Sequence, residues 1–412
     1  MKRISELQLD RYAELAVRVG ANVQKGQKLV LQAPVTAASF AARITKKAYE
    51  AGAMVVMNDW IDSDEIIRSK FLLAPDEAFE WYPMWRAKGM EELAEEGAAV
   101  LQIYIPNPDL YEGVDPARVA AANKVKQQAL RNYRTKMMND DISWSLISIP
   151  SPEWAKRLFP DLSEDEAMEE MWALVLKMAR ADGENPIEDW KAHLKVLAER
   201  RELLNNKRYK KLHYRSQITD LTIELPEDHL WLSAQSENGQ GTSFVPNIPT
   251  EEVFTLPLKT GVNGVVGSTK PLNYRGSLID DFRLTFKDGK IVEFSAAKGE
   301  EALKNMLATD EGASYLGEVA LVPYDSPISN TNKIFYNTLY DENASCHLAI
   351  GAAYPTTLKG GRKMSREELD KHGVNDSLIH EDFMMGSADL SIDGELADGT
   401  KEAVFRNGNW AF

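Results

Sequence analysis

Glu252, Glu318, His347, His380 and Asp382 stand in the last third of the chain, each beside a turn or a strand end, and each is a good ligand for a divalent metal ion. Two of them come from a stock of only six histidines in 412 residues. Carboxylates combined with imidazoles are the usual donors for Zn²⁺, Co²⁺ or Mn²⁺. Such a set is larger than one catalytic ion with an open position needs, and it suits two ions that share a bridging carboxylate. Two ions about 3.5–4 Å apart can clamp a water and a substrate oxygen together. The chemistry to which these residues point is hydrolysis.

Four segments carry them: Asn247-Ile248-Pro249-Thr250-Glu251-Glu252-Val253-Phe254, Tyr315-Leu316-Gly317-Glu318-Val319-Ala320-Leu321-Val322-Pro323, Ala344-Ser345-Cys346-His347-Leu348-Ala349-Ile350-Gly351-Ala352-Ala353-Tyr354, and Ile379-His380-Glu381-Asp382-Phe383-Met384-Met385-Gly386. On a strand, His380 and Asp382 point to one face and Glu381 to the other. The same period makes Glu251 and Glu252 alternatives, because strand neighbours face oppositely. Taken singly, an acid at a strand start is ordinarily solvated, and a histidine among apolar residues is ordinarily a hydrogen-bonded core residue. The case for ligation rests on their joint occurrence in apolar, turn-bounded settings.

Other groups read as structural. His193 lies in a charged helical stretch, His213 among Lys and Arg, and His229 beside Asp228, so all three are expected at the surface. Cys346 is expected to be a small buried side chain, diverging from its neighbour His347. Gly261 to Lys270 lacks the spacing of a phosphate loop and reads as a strand turn. No Gly-x-Gly-x-x-Gly follows an early strand, which argues against a dinucleotide site. Trp81, Trp85, Trp144, Trp154 and the remaining tryptophans read as core or interface residues.

The elements that must position these groups fall into two textures. Up to residue 150, apolar strands at 28–33, 53–57, 98–105 and 141–149 alternate with helices, the one at 37–51 ending at Gly52. This pattern predicts βαβ units and a mostly parallel sheet. Residues 151–212 read as a helical insert, with a capping box at Ser163–Glu166 and a break at Pro186. From His213 onward, short strands separated by turn residues take over. They include a hairpin at 282–294 around Lys287-Asp288-Gly289-Lys290, a helix at 297–308 and a second capping box at Ser365–Glu368. The fold class is therefore α/β: an N-terminal α/β domain over 1–225, and a C-terminal α+β domain over 226–412 that carries the metal ligands.

Composition sets outer bounds. Hydrophobic residues make up 44% and charged residues 27%, ordinary for a folded chain of a size that favours two domains. A net charge of -15 argues against non-specific nucleic-acid binding. The single cysteine allows no internal disulfide, which fits a reducing compartment. No run of about 18 apolar residues is present, and the amphipathic N-terminus lacks the apolar core of a signal peptide. The expected location is the cytoplasm.

The four segments, in their order and spacing, resemble the M29 metallopeptidases, the group of aminopeptidases T, S and PepS. The resemblance runs the whole length and includes the Gly-Gln-Lys-Leu-Val-Leu strand at 26–31. The family pattern has Gly before the first ligand Glu; here that place is Glu251, which leaves Glu252 as the match. The resemblance implies metal ligands at Glu252, Glu318, His347, His380 and Asp382, an active-site role for Tyr354, and two divalent ions per subunit. It further implies release of N-terminal amino acids from peptides by a homodimer. On this reading Glu318, or else Glu252, serves as the general base, and Tyr354 could hydrogen-bond the developing oxyanion. Two rivals remain: another dinuclear hydrolase, such as an amidase or phosphoesterase, and a non-enzymatic α/β protein that binds a small ligand.

Overall fold

In a computed structural model of the chain, residues 4–107, 109–274 and 277–412 are described. The chain forms two compact units, one of Met1–His193 with Gln235–Pro249, the other of Leu194–Ala234 with Thr250–Phe412.

The first unit contains the expected parallel sheet. Its strands lie in the order Asn247–Ile248, Trp144–Ser148, Ala99–Tyr104, Lys28–Pro34, Val55–Ile61, and all pair in parallel. Helix Ala38–Ala51 joins the first two strands in chain order and stops at Gly52, whose φ of 99° is left-handed. The second strand lies further along than the apolar run at 53–57 suggests. As an edge strand it tolerates the polar Asn58 and Asp59, whereas a central strand would bury them. The helical insert forms as expected, and the Ser163 hydroxyl and Glu166 carboxylate cap each other's backbone N–H. Trp154 and Trp190 are fully buried here, but Trp81 and Trp85 are 67% and 75% exposed and so are not core residues.

The second unit is built from antiparallel strands. One sheet contains the hairpin Ser277–Lys287 to Lys290–Lys298, turned by Asp288 and Gly289, both at positive φ. That second strand takes up the start of the expected helix, which begins only after the left-handed Gly299 and runs Glu300–Leu307. Residues 262–267 form a strand inside this sheet rather than a turn. A smaller, five-stranded sheet has the order His380–Met384, His347–Gly351, Leu316–Leu321, Val253–Thr255, Leu232–Ser233.

Register in the smaller sheet sorts its residues by face. Val319, Leu348 and Phe383 lie in one cross-strand row and belong to a large buried apolar cluster with Tyr214, Ile223, Trp231 and Phe282. Burial of each such side chain contributes about 1.5–3 kcal/mol. The adjacent row, Glu318, Ala349 and Asp382, must therefore face the opposite way. Among the described residues, no helix is long and apolar enough to cross a membrane.

Candidate metal centre

All five sequence-selected ligands meet on the non-core face of the five-stranded sheet. His347 shares a row with Ala320, and Ala320 with Phe254, so Glu252, two residues before Phe254, falls on the same face. Asp382 is opposite Ala349 and His380 is opposite Gly351, while Glu381 is opposite the core residue Ile350.

Glu318 reaches that face through a bulge. Leu316 pairs with Ile350 on the core side, yet Glu318, two residues on, pairs with Ala349 on the other side. An extra residue in one strand permits this change of face. The extra residue is Gly317, where an added Cβ would lie 2.2 Å from the Ala352 carbonyl oxygen and 2.4 Å from that of Gly351. Only glycine fits.

The donor atoms are close. His347 Nε2 is 3.1 Å from Glu252 Oε2 and 3.6 Å from Glu318 Oε1. His380 Nε2 is 3.7 Å from the other Glu318 oxygen, Oε2, and 3.6 Å from Asp382 Oδ1. Glu252, Glu318 and His347 make one group able to hold an ion, and Glu318, His380 and Asp382 make a second. Glu318 belongs to both and turns one oxygen toward each.

Both imidazoles are held in the orientation that ligation requires. His347 Nδ1 donates to the Ser345 carbonyl at 3.2 Å, and His380 Nδ1 to the Ala352 carbonyl at 2.7 Å. With Nδ1 engaged, Nε2 carries the lone pair that a metal needs. Asp382 Oδ1 is buried and makes no hydrogen bond among the described residues. A buried carboxylate oxygen that makes no hydrogen bond is costly unless a cation satisfies it. Donor chemistry and this orphaned oxygen together fit divalent ions.

Glu342 also belongs to this cluster, and no sequence pattern selected it. It sits in the turn Glu342–Ala344, is nearly buried, and senses Asp382, Glu252, His347 and Glu318. In sequence it resembles any acidic turn residue. Its one distinguishing mark is its place five residues before His347, the first residue of a fully buried strand.

Burial and mutual repulsion raise the pKa of two acids in this cluster, Glu318 and Glu342. Burial pushes the Glu318 carboxyl up to about 7, against a hydrogen bond to His347 that holds it down. Burial also lifts Glu342 well above the usual carboxyl range, with Asp382 and Glu252 adding to the effect. For His347, burial acts to lower the pKa, but the bonds to Glu252 and Glu318 outweigh it and raise it well above the ordinary value.

Tyr354 follows the His347 strand, with its half-buried ring edge-on to the His380 ring at 4.8 Å and to Phe254 at 6.4 Å. Burial first, then Glu318 and Asp382, raise its phenol well above 10, so it keeps its proton at neutral pH. Cys346 faces the apolar cluster, its thiol pushed up to about 12 by burial, and is no nucleophile. The three histidines expected at the surface, His193, His213 and His229, are not fully exposed. His229 is 3% exposed with Nδ1 bonded to the Pro226 carbonyl, His213 is half-buried between Glu395 and Thr222, and His193 is half-buried edge-on to Trp190. Local charge misled the reading, since each has a partner that satisfies it in place.

A buried set of carboxylates with two oriented imidazoles is the donor set of a metal-dependent hydrolase. The family profile described as Thermophilic metalloprotease (M29) matches residues 5–410. The chain is 55% identical over 407 residues to Aminopeptidase 2 of Geobacillus stearothermophilus, covering 99% of this chain and 98% of that one. It is 40% identical over 402 residues to Aminopeptidase T of Thermus aquaticus, covering 98% of each. Its fold is similar to the solved structure of wild-type AmpT from Thermus thermophilus, with a TM-score of 0.92 at 39% identity over 98% of this chain and 99% of that one. The chain belongs to the M29 family of metalloproteases.

Proposed function

We propose that the chain is an aminopeptidase that releases N-terminal amino acids from peptides, using two divalent ions, Zn²⁺, Co²⁺ or Mn²⁺. Glu252, Glu318 and His347 would hold one ion, and Glu318, His380 and Asp382 the other. The observation that carries this reading is Glu318, placed between the two histidines with one oxygen toward each. Bound there, the ions would acidify a water and polarise the scissile carbonyl.

The protein's own groups supply the rest. Glu318, once one of its oxygens is free of an ion, or else Glu252, accepts a proton from the attacking water and delivers it to the leaving amine. Tyr354, still protonated, donates a hydrogen bond to the oxygen on which negative charge develops. The acidic cluster attracts the free amino terminus of a peptide, which favours cleavage from that end.

Removal of metal by chelator should reduce hydrolysis of aminoacyl-p-nitroanilides at least about 100-fold, and Co²⁺, Zn²⁺ or Mn²⁺ should restore it. Undiminished activity after stripping would refute metal dependence. An N-acetylated peptide should resist cleavage, and if it is cut as fast as the free one, an amidase-type reading replaces this one.

Binding should also depend on pH. Glu318, with its carboxyl at about 7, holds a proton below that pH, and an incoming cation must displace it. Affinity should therefore fall by about tenfold per pH unit below 7 for each proton displaced. Isothermal titration of the stripped protein in buffers of different ionisation enthalpy counts the released protons; a count of zero at pH 6 contradicts the assignment.

The same reading makes the protein a cytoplasmic homodimer. The single cysteine fits a reducing compartment, and the resemblance of the sequence to its family implies the dimer. Light scattering should give twice the subunit mass, and one subunit mass would overturn the dimer.

A further inference from the structure

The Glu252 segment lies where the sheet no longer holds it. The ladder between the Val253–Thr255 and Leu316–Leu321 strands ends at the pair Val253–Leu321, so Glu251 and Glu252 lie beyond it. Glu342 lies in a single turn, outside any ladder. Nevertheless, Glu252 and His347 are brought to 3.1 Å.

Asn343 connects these segments. It is 0% exposed. Its Oδ1 accepts the Glu251 backbone N–H at 2.7 Å. Its Nδ2 donates to the Leu339 carbonyl at 2.9 Å and to Glu342 Oε1 at 3.3 Å. Its own carbonyl accepts the Ser326 hydroxyl at 3.4 Å. The turn itself is fixed by Asp341, whose carboxylate accepts the N–H groups of Phe335 at 2.8 Å and Asn337 at 3.2 Å.

We propose that Asn343 is a positioning residue for the metal centre, fixing the separation of Glu252 from Glu342 and His347. An amide suits the task because it offers an acceptor and two donors in one rigid group. Aspartate would keep the acceptor for the Glu251 N–H but would lose the donors and face the Glu342 carboxylate. Alanine would remove both ends. The proposal rests on the reading that these carboxylates hold cations.

The test is equilibrium dialysis of Zn²⁺ or Mn²⁺ alone against stripped wild-type, N343D and N343A proteins, with thermal melts of the same samples and kcat and KM at saturating metal. Both variants should bind one of the two ions about 10–100-fold more weakly, the range found when groups that orient ligands are lost. Their kcat should fall with KM nearly unchanged. Cation affinity within twofold of wild type, with only the melting temperature lowered, would assign Asn343 to the fold and overturn the proposal. Failure of both variants to fold would overturn it as well. If the wild type itself binds no divalent ion, the proposed function fails instead.

Discussion

Replacing His347 by alanine should remove metal and activity together, lowering kcat by about 1,000-fold or more, a loss of about 4 kcal/mol in transition-state stabilisation. The side chain is 1% exposed, and its Nε2 sits between Glu252 and Glu318. Deletion takes away one ligand and leaves two buried carboxylates facing a void. Removing one partner from a buried ionic cluster costs about 3–5 kcal/mol, so the stripped variant should also melt at a lower temperature than stripped wild type. His380→Ala should lose metal in the same way with a smaller change in melting, because His380 is only half-buried. Metal analysis by mass spectrometry, beside kinetics on a leucyl anilide, measures both effects. An H347A protein that retains two equivalents of metal would end the assignment.

Tyr354→Phe should give the opposite separation: metal retained, rate lost. The phenylalanine ring keeps the edge contacts with His380 and Phe254. What disappears is one hydroxyl, and that hydroxyl holds its proton firmly, because burial and the neighbouring acids raise its pKa. One donor to a developing oxyanion is worth about 2.7–4 kcal/mol, so kcat should fall by about 100- to 1,000-fold. KM should hardly change, since the interaction strengthens only as charge develops. A wild-type kcat in Y354F would leave the ring with a packing role alone.

Much of this centre could be read from the sequence because strand periodicity is a short-range rule. His380 and Asp382 are two residues apart, and a pleated strand sends both to one face whatever surrounds it. The βαβ alternation of the first 150 residues was equally legible, since buried parallel strands are apolar throughout. Harder cases arose where a choice depended on something outside the local segment. Periodicity could not choose between Glu251 and Glu252; the spatial choice shows only in the fold, where Glu252 Oε2 comes to 3.1 Å from His347 Nε2. Glu342 had no local signature, because its membership in the cluster depends on where a single turn is placed. His229 was misread from the acid beside it, when its partner is the Pro226 carbonyl three residues back.

The amino-acid order alone determined the kinds of donor available, the alternation that pairs His380 with Asp382, the parallel core of the first unit, and the family to which the chain belongs. Tertiary structure alone decided which oxygens and nitrogens meet. Leu316 and Glu318, read with a period of two, should share a face. They do not, because the bulge at Gly317 turns one toward the core and the other toward the imidazoles. Side-chain direction along a strand is a local property, but the register between strands, and the point at which it slips, is set by contacts between residues distant in the chain.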